Sequence, residues 1–154
     1  MIAEAEVGLA AASDAENALA DLQDLMGVVF ARARTLWKES AASLHPDLQV
    51  AGYKLLTYID QAGTASAHHL AERFDMDKSV VSRQVRMLED LGLLESRPDE
   101  RDGRLRVLSV TPQASTALRT LRHDYAVRMR AGIGALTAEE IRAASKVLAL
   151  LAEV

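Results

Sequence analysis

The chain contains no cysteine. That single absence excludes disulfides, thiolate zinc sites, cysteine nucleophiles and cysteine-based redox sensing. Aromatic residues are also scarce, at 4% of the chain, while Ala and Leu are abundant, so a helical protein is expected. No apolar run approaches the roughly 18 residues needed to span a bilayer. The start, Met1-Ile2-Ala3-Glu4-Ala5-Glu6, is acidic where a secretory signal would be positive, so a cytoplasmic protein with no membrane partner is expected. Enzyme signatures are missing too. There is no Gly-rich phosphate loop, no Ser-containing nucleophile elbow and no cluster of metal ligands, so neither catalysis nor a cofactor is expected. His68 and His69 are adjacent and point in different directions on a helix, which makes a poor chelating pair, and His123 is remote.

A basic excess is lacking as well. The net charge is −4, whereas domains that bind nucleic acid are usually basic. The distribution is uneven: residues 1–31 carry six acids and no base, and residues 64–106 carry eight bases against nine acids. If this chain binds DNA, its arginines must act through placement rather than number, because phosphate contacts depend on local geometry.

At 154 residues, 49% apolar and 26% charged, the length and composition suit one globular domain, 1–154. Ser13-Asp14-Ala15-Glu16 has the pattern of a capping box. Leu22, Met26, Val29, Ala33 and Trp37 then recur at helical spacing, which predicts a first helix over about 14–44. Pro46 ends it. A second helix is expected over about 48–61, closed by Gly63. Ser66 caps a short third helix (67–73), Phe74-Asp75-Met76 forms a turn, and Asp77 caps a fourth helix running to about Leu91. The period then changes. Leu93–Arg97 and Leu105–Val110 read as two strands around a polar tip, Pro98 to Arg104. Thr111-Pro112 starts a fifth helix ending near Arg130, and Thr137-Ala138-Glu139-Glu140 is a capping box opening a sixth. The expected fold is mainly α with a small β-hairpin (α+β), six helices in all.

The segment from Ser66 to Leu91 carries the functional signal. On a helical wheel Val81, Val85 and Leu88 fall within about 60°, and Ser79, Ser82, Arg83 and Arg86 within about 100° on nearly the opposite side. One stripe packs inward. The other suits the major groove, where Arg takes guanine O6 and N7 and Ser serves base or phosphate, with Lys78 in reach of phosphate. On these residues alone, an ordinary solvated face is an equal alternative. The hairpin tip adds Arg101 and Arg104, with Arg97 and Arg106 on the strands and Asp99 and Asp102 beside them. A narrow minor groove attracts an inserted arginine, and an aspartate can orient that arginine through a bidentate pair.

Together these stretches resemble the winged helix of the multiple-antibiotic-resistance-regulator (MarR) family. Asp77-Lys78-Ser79-Val80-Val81-Ser82-Arg83-Gln84-Val85 is similar to the opening of its recognition helix. Leu88-Glu89-Asp90-Leu91-Gly92-Leu93-Leu94 is similar to the helix end and first wing strand, Asp102-Gly103-Arg104 to the wing-tip Asp-x-Arg motif, and Val110-Thr111-Pro112 to the end of the second strand. The likeness covers about 45 residues by motif. It implies a winged helix-turn-helix lobe (about 48–111) and a helical dimerisation region (about 14–45 and 112–153). It further implies a homodimer that binds double-stranded DNA at a near-palindromic operator, as a repressor. In that reading Ser66, Lys78, Ser79, Ser82, Arg83, Arg86, Arg101, Asp102 and Arg104 meet DNA, with Arg104 in the minor groove and Asp102 positioning it. Two departures stand out. Gly103 replaces an arginine carried by many members, which removes a basic contact from the wing, and Ala114 replaces a glycine after the second strand.

The resemblance also implies that Leu19, Leu22, Ile141, Leu148 and Leu151 belong to the dimer interface; intrachain core is the equal alternative. A small aromatic or phenolic effector is implied by the habit of the family, with Trp37, Tyr53 and His45 as the lining, although aromatics at helical spacing are more often core. The alternative function is a winged helix used for protein contacts without DNA, which the acidic net charge favours.

Overall fold

In the computed structural model, which describes residues 2–153 and side chains from residue 13 onward, helix α1 spans Ile2–Leu44. It starts about three turns before the Ser13–Glu16 capping box, which lies inside the helix. The physical reason is the preceding run of Ala, Glu and Leu, which are strong helix formers. The helix stops at His45, whose N–H still reaches Ala41 O at 3.1 Å, just before Pro46.

Helix α2 (Val50–Ala62) begins two residues later than expected, at an N-cap Gln49 that makes no side-chain cap. Ser66 does cap α3 (Ala67–Arg73), its hydroxyl accepting His69 N–H at 3.2 Å. Asp75 takes the turn at φ 49°, a conformation that Asp tolerates. Helix α4 (Lys78–Asp90) follows. Asp77 occupies its N-cap position, but the expected side-chain cap is not formed; its backbone carbonyl accepts from Val80 and Val81 instead.

Gly92, at φ 68°, turns the chain out of α4. The antiparallel strands β1 (Leu94–Pro98) and β2 (Arg106–Val110) pair from Leu94 opposite Val110 to Pro98 opposite Arg106. A third segment joins them: Ala65 exchanges both backbone hydrogen bonds with Leu108, at 2.8 and 3.0 Å. The hairpin is thereby bonded to the loop before α3. At its base Thr111 Oγ1 donates to Gly92 O at 3.0 Å, and Thr111 N–H to Leu93 O at 3.1 Å. The core beneath is dry and apolar: Leu55, Leu56 and Ile59 of α2, Leu70 of α3, Val81 and Leu88 of α4, and Leu108 of β2 are all but fully buried. This is a winged helix-turn-helix.

The chain divides into two units, residues 1–111 and 112–154. The second contains α5 (Pro112–Ile133) and α6 (Ala138–Leu151). The capping box at Thr137 forms as expected: Thr137 Oγ1 accepts Glu140 N–H, and the Glu140 carboxylate accepts Thr137 N–H at 2.7 Å. The Thr137 N–H, and the Thr137 hydroxyl lying 2.8 Å from the same carboxylate oxygen, hold the Glu140 carboxyl below its ordinary pKa. Helix α6 buries no side chain at all.

Candidate nucleic-acid interface

Helix α4 is split lengthwise. Val81, Val85 and Leu88 are buried, while Lys78, Ser79, Ser82, Arg83 and Arg86 are exposed. The buried stripe decides which way the polar one points. Once three apolar side chains are sealed in the core, the helix cannot roll without exposing them. Among the described residues, the ion contacts are His45–Asp47 at 3.9 Å and His68–Glu72 at 3.3 Å. Among the described residues, no carboxylate lies within ion-pair distance of Lys78, Arg83, Arg86, Arg101 or Arg104. The side chains of all five are exposed to solvent.

The hairpin tip is ordered by aspartate, but not as expected. Asp99 Oδ1 accepts the N–H groups of Arg101 and Asp102 at 2.8 and 2.9 Å, and Asp99 N–H donates to Leu105 O. Those two bonds lower the Asp99 pKa from its ordinary value. Asp102 Oδ1 accepts the backbone N–H of Arg104 at 3.0 Å. Among the described residues, the expected bidentate pair between Asp102 and the Arg104 guanidinium is absent; the carboxylate bonds the turn backbone instead. Arg106, by contrast, is tethered, its guanidinium donating to Ser96 O and Oγ. Ser66 is half-buried, and its hydroxyl retains a proton to donate after capping α3.

The other candidates fall elsewhere. Leu19 and Leu148 are 54% and 62% exposed, Ile141 and Leu151 lie at the margin of exposure, and Leu22 is half-buried. None of the five belongs to an intrachain core. Trp37 carries the Lys54 ammonium 4.1 Å above its ring, Tyr53 is half-buried on α2, and His45 Nδ1 accepts Asp47 N–H at 3.1 Å. Among the described residues, no group of three or more His, Cys, Asp or Glu could hold a metal ion, and no helix is long and apolar enough to cross a membrane.

This architecture has counterparts. Residues 47–105 match the sequence model of the MarR family, a span from the turn before α2 to the wing tip. Over that span the chain is similar to the MarR family. It is 32% identical over 78 residues to the uncharacterized HTH-type transcriptional regulator YxaD of Bacillus subtilis (strain 168), a match covering 51% of this chain and only about half (54%) of that relative. The YusO protein of Bacillus subtilis superposes with a TM-score of 0.67 at 22% identity, over 90% of this chain and 97% of that one. FabT of Streptococcus pneumoniae, solved in complex with DNA, superposes at 0.76 with 16% identity, over 86% and 93%. At such identities the likeness establishes the shared fold.

Two features of this surface were missed by sequence reasoning. Asp99 is the main organiser of the wing tip; the signal was present, since an aspartate two and three residues before the N–H groups of a turn is a common side-chain mimic of the turn itself. Ala65 as a third strand position had no local signal, because one bridged residue has no period.

Proposed function

We propose that this protein is a transcription regulator that binds double-stranded DNA as a homodimer and represses by excluding polymerase from a near-palindromic operator. One observation carries the reading: the exposed cations of α4 and of the wing tip, with no carboxylate partners among the described residues, stand on a lobe that holds α4 by its buried stripe of Val81, Val85 and Leu88. Ser79, Ser82, Arg83 and Arg86 would meet base edges and phosphates in the major groove, Lys78 and Ser66 phosphates, and Arg101 and Arg104 the adjoining minor groove. Asp102 and Asp99 would hold the wing tip in shape.

Dimerisation is supported by apolar surface that the single chain leaves uncovered. Leu19, Leu25, Val28, Val29 and Phe30 on α1, and Leu148 and Leu150 on α6, are each more than half exposed. Faces of this kind are expected to close against a partner, and a two-fold dimer places its reading helices about 34 Å apart, one turn of duplex. An aromatic effector at Trp37 would have to displace Lys54 from the ring face, with Tyr53 and His45 at its side. The likeness of residues 47–105 to the MarR family model, and the fold, support a regulator rather than an enzyme, with the cytoplasm as its location.

Selection from a pool of random duplexes tests the proposal. The expected result is an enriched near-palindrome with half-sites about 10 base pairs apart, bound with an affinity that falls steeply with salt. Failure to enrich any sequence, or weak binding that ignores salt, would instead support the protein-contact module that the net charge of −4 favours.

A further inference from the structure

Helices α2 and α4 meet at a glycine. Gly52 is buried, and a methyl group placed on its Cα would sit 3.0 Å from Leu48 Cδ1, 3.1 Å from Gln84 Oε1 and 3.2 Å from Met87 Cε. All three distances are shorter than ordinary van der Waals contact between such atoms. Leu48 is itself buried and has little room to retreat. Gln84 Oε1 is sealed from solvent and has no hydrogen-bond partner among the described residues, an arrangement that carries a desolvation cost and marks a tight seat rather than a loose one.

The two neighbours from α4 are three residues apart and straddle Gly52. On the helical wheel Gln84 and Met87 lie between the buried stripe of Val81, Val85 and Leu88 and the exposed face that carries Arg83 and Arg86. Contact on that flank resists rotation of α4 about its own axis. A roll of about 10° would move a side-chain tip about 6 Å from the axis by about 1 Å. Paired hydrogen bonds to a base edge do not survive such a shift, whereas contacts by long side chains to phosphate do.

From this we infer that Gly52 is a positioning residue: its missing side chain sets the roll of α4 and so the aim of Ser79, Ser82, Arg83 and Arg86. The inference rests on the DNA-reading role proposed above. It separates stability from recognition. Alanine in a helix interior is favoured over glycine through backbone entropy, which opposes the crowding at Gln84, so Gly52→Ala leaves the fold near its original stability while turning the reading face.

The test uses the full chain as wild type, Gly52→Ala, Gln84→Ala and the double variant. Each is titrated with the selected duplex and with a scrambled duplex of equal length, alongside thermal unfolding and backbone amide NMR. Gly52→Ala should lose about tenfold or more on the selected duplex and about twofold or less on the scrambled one, at an unchanged or higher Tm. Gln84→Ala alone should bind within about twofold of wild type, and the double variant should recover most of the loss because the crowded oxygen is gone. An undiminished specificity ratio in Gly52→Ala, a loss that persists in the double variant, or an equal loss on both duplexes with a lowered Tm would overturn the inference. Amide shifts supply the arm that needs no DNA. They should concentrate over 78–90 in Gly52→Ala and revert in the double variant. If they do while wild type selects no sequence, the seating of α4 stands and the DNA-reading role fails; if they do not, the seating is refuted whatever the DNA result.

Discussion

The Oδ1 atom of Asp102 accepts the backbone N–H of Arg104 at 3.0 Å. The carboxylate thus shapes the turn on which Arg104 stands and leaves its guanidinium without a short-range counter-ion among the described residues. A role in shaping the loop and a role in neutralising charge make opposite demands on the same group, and here the backbone wins.

Arg104→Ala should therefore weaken binding to nearly all duplexes alike and lower the slope of log affinity against log salt by about 1, with the dimer intact. Asp102→Ala should weaken binding less and add nothing in the Arg104→Ala background, while Asp102→Asn, which keeps the acceptor oxygen, should stay near wild type. Anisotropy titrations at several salt concentrations check all three. A salt slope unchanged in Arg104→Ala would remove this residue from the interface.

Asp99 makes the wing sensitive to acid. Its carboxyl titrates below its ordinary value because it accepts the N–H groups of Asp102 and Arg101. The unfolded wing takes up the proton at the higher, ordinary pKa of about 3.9, so order in the tip is complete above that pH and is lost as pH falls through the folded value. The protection factors of the Arg101 and Asp102 amides, taken relative to the intrinsic exchange rate at each pH, should fall in acid below about pH 4. Asp99→Ala should show the lowered protection at neutral pH, and Asp99→Asn should remove the pH dependence. A wild-type tip equally protected on both sides of that range would contradict the assignment.

Arg83 stands on the exposed stripe of α4 with no carboxylate partner among the described residues. Arg83→Ala should change the preferred base at one position of each half-site, a loss of about 1–3 kcal/mol of discrimination there. Repeating the duplex selection with the variant measures this directly. An identical enriched sequence would show that Arg83 reads no base.

Leu148, 62% exposed on a helix that buries nothing, offers the cleanest probe of assembly. A Leu148→Glu substitution costs the isolated chain little but places a charge in any apolar interface, so the dimer dissociation constant should rise by at least about tenfold. Leu56→Ala is the contrast: it opens the core and should destabilise the fold by about 2–5 kcal/mol. Sedimentation velocity separates the two effects. A Leu148→Glu protein that keeps the wild-type mass at low concentration would place the interface elsewhere.

What could be read from the chain itself was whatever is written in short-range pattern. Val81, Val85 and Leu88 recur at the helical period, so their burial and the outward aim of Ser82 and Arg83 followed from spacing. Gly92, Thr111-Pro112 and the Thr137–Glu140 box are local punctuation, and each marks the boundary expected of it. The misplaced start of α1 shows the limit of such signals: Ser13 to Glu16 has the composition of a cap, yet the run before it is as helical as the run after, and summed propensity outweighs one motif.

Tertiary structure decided the matters that depend on where atoms from distant positions meet. Sequence cannot say whether an aspartate bonds a guanidinium or a backbone N–H, since both partners lie within reach of Asp102 and only the closed hairpin selects one. It cannot say that Gly52 faces Gln84 across 32 positions, nor that Ala65 pairs with Leu108 across 43, because contact at that separation is set by the packed core and leaves no local period.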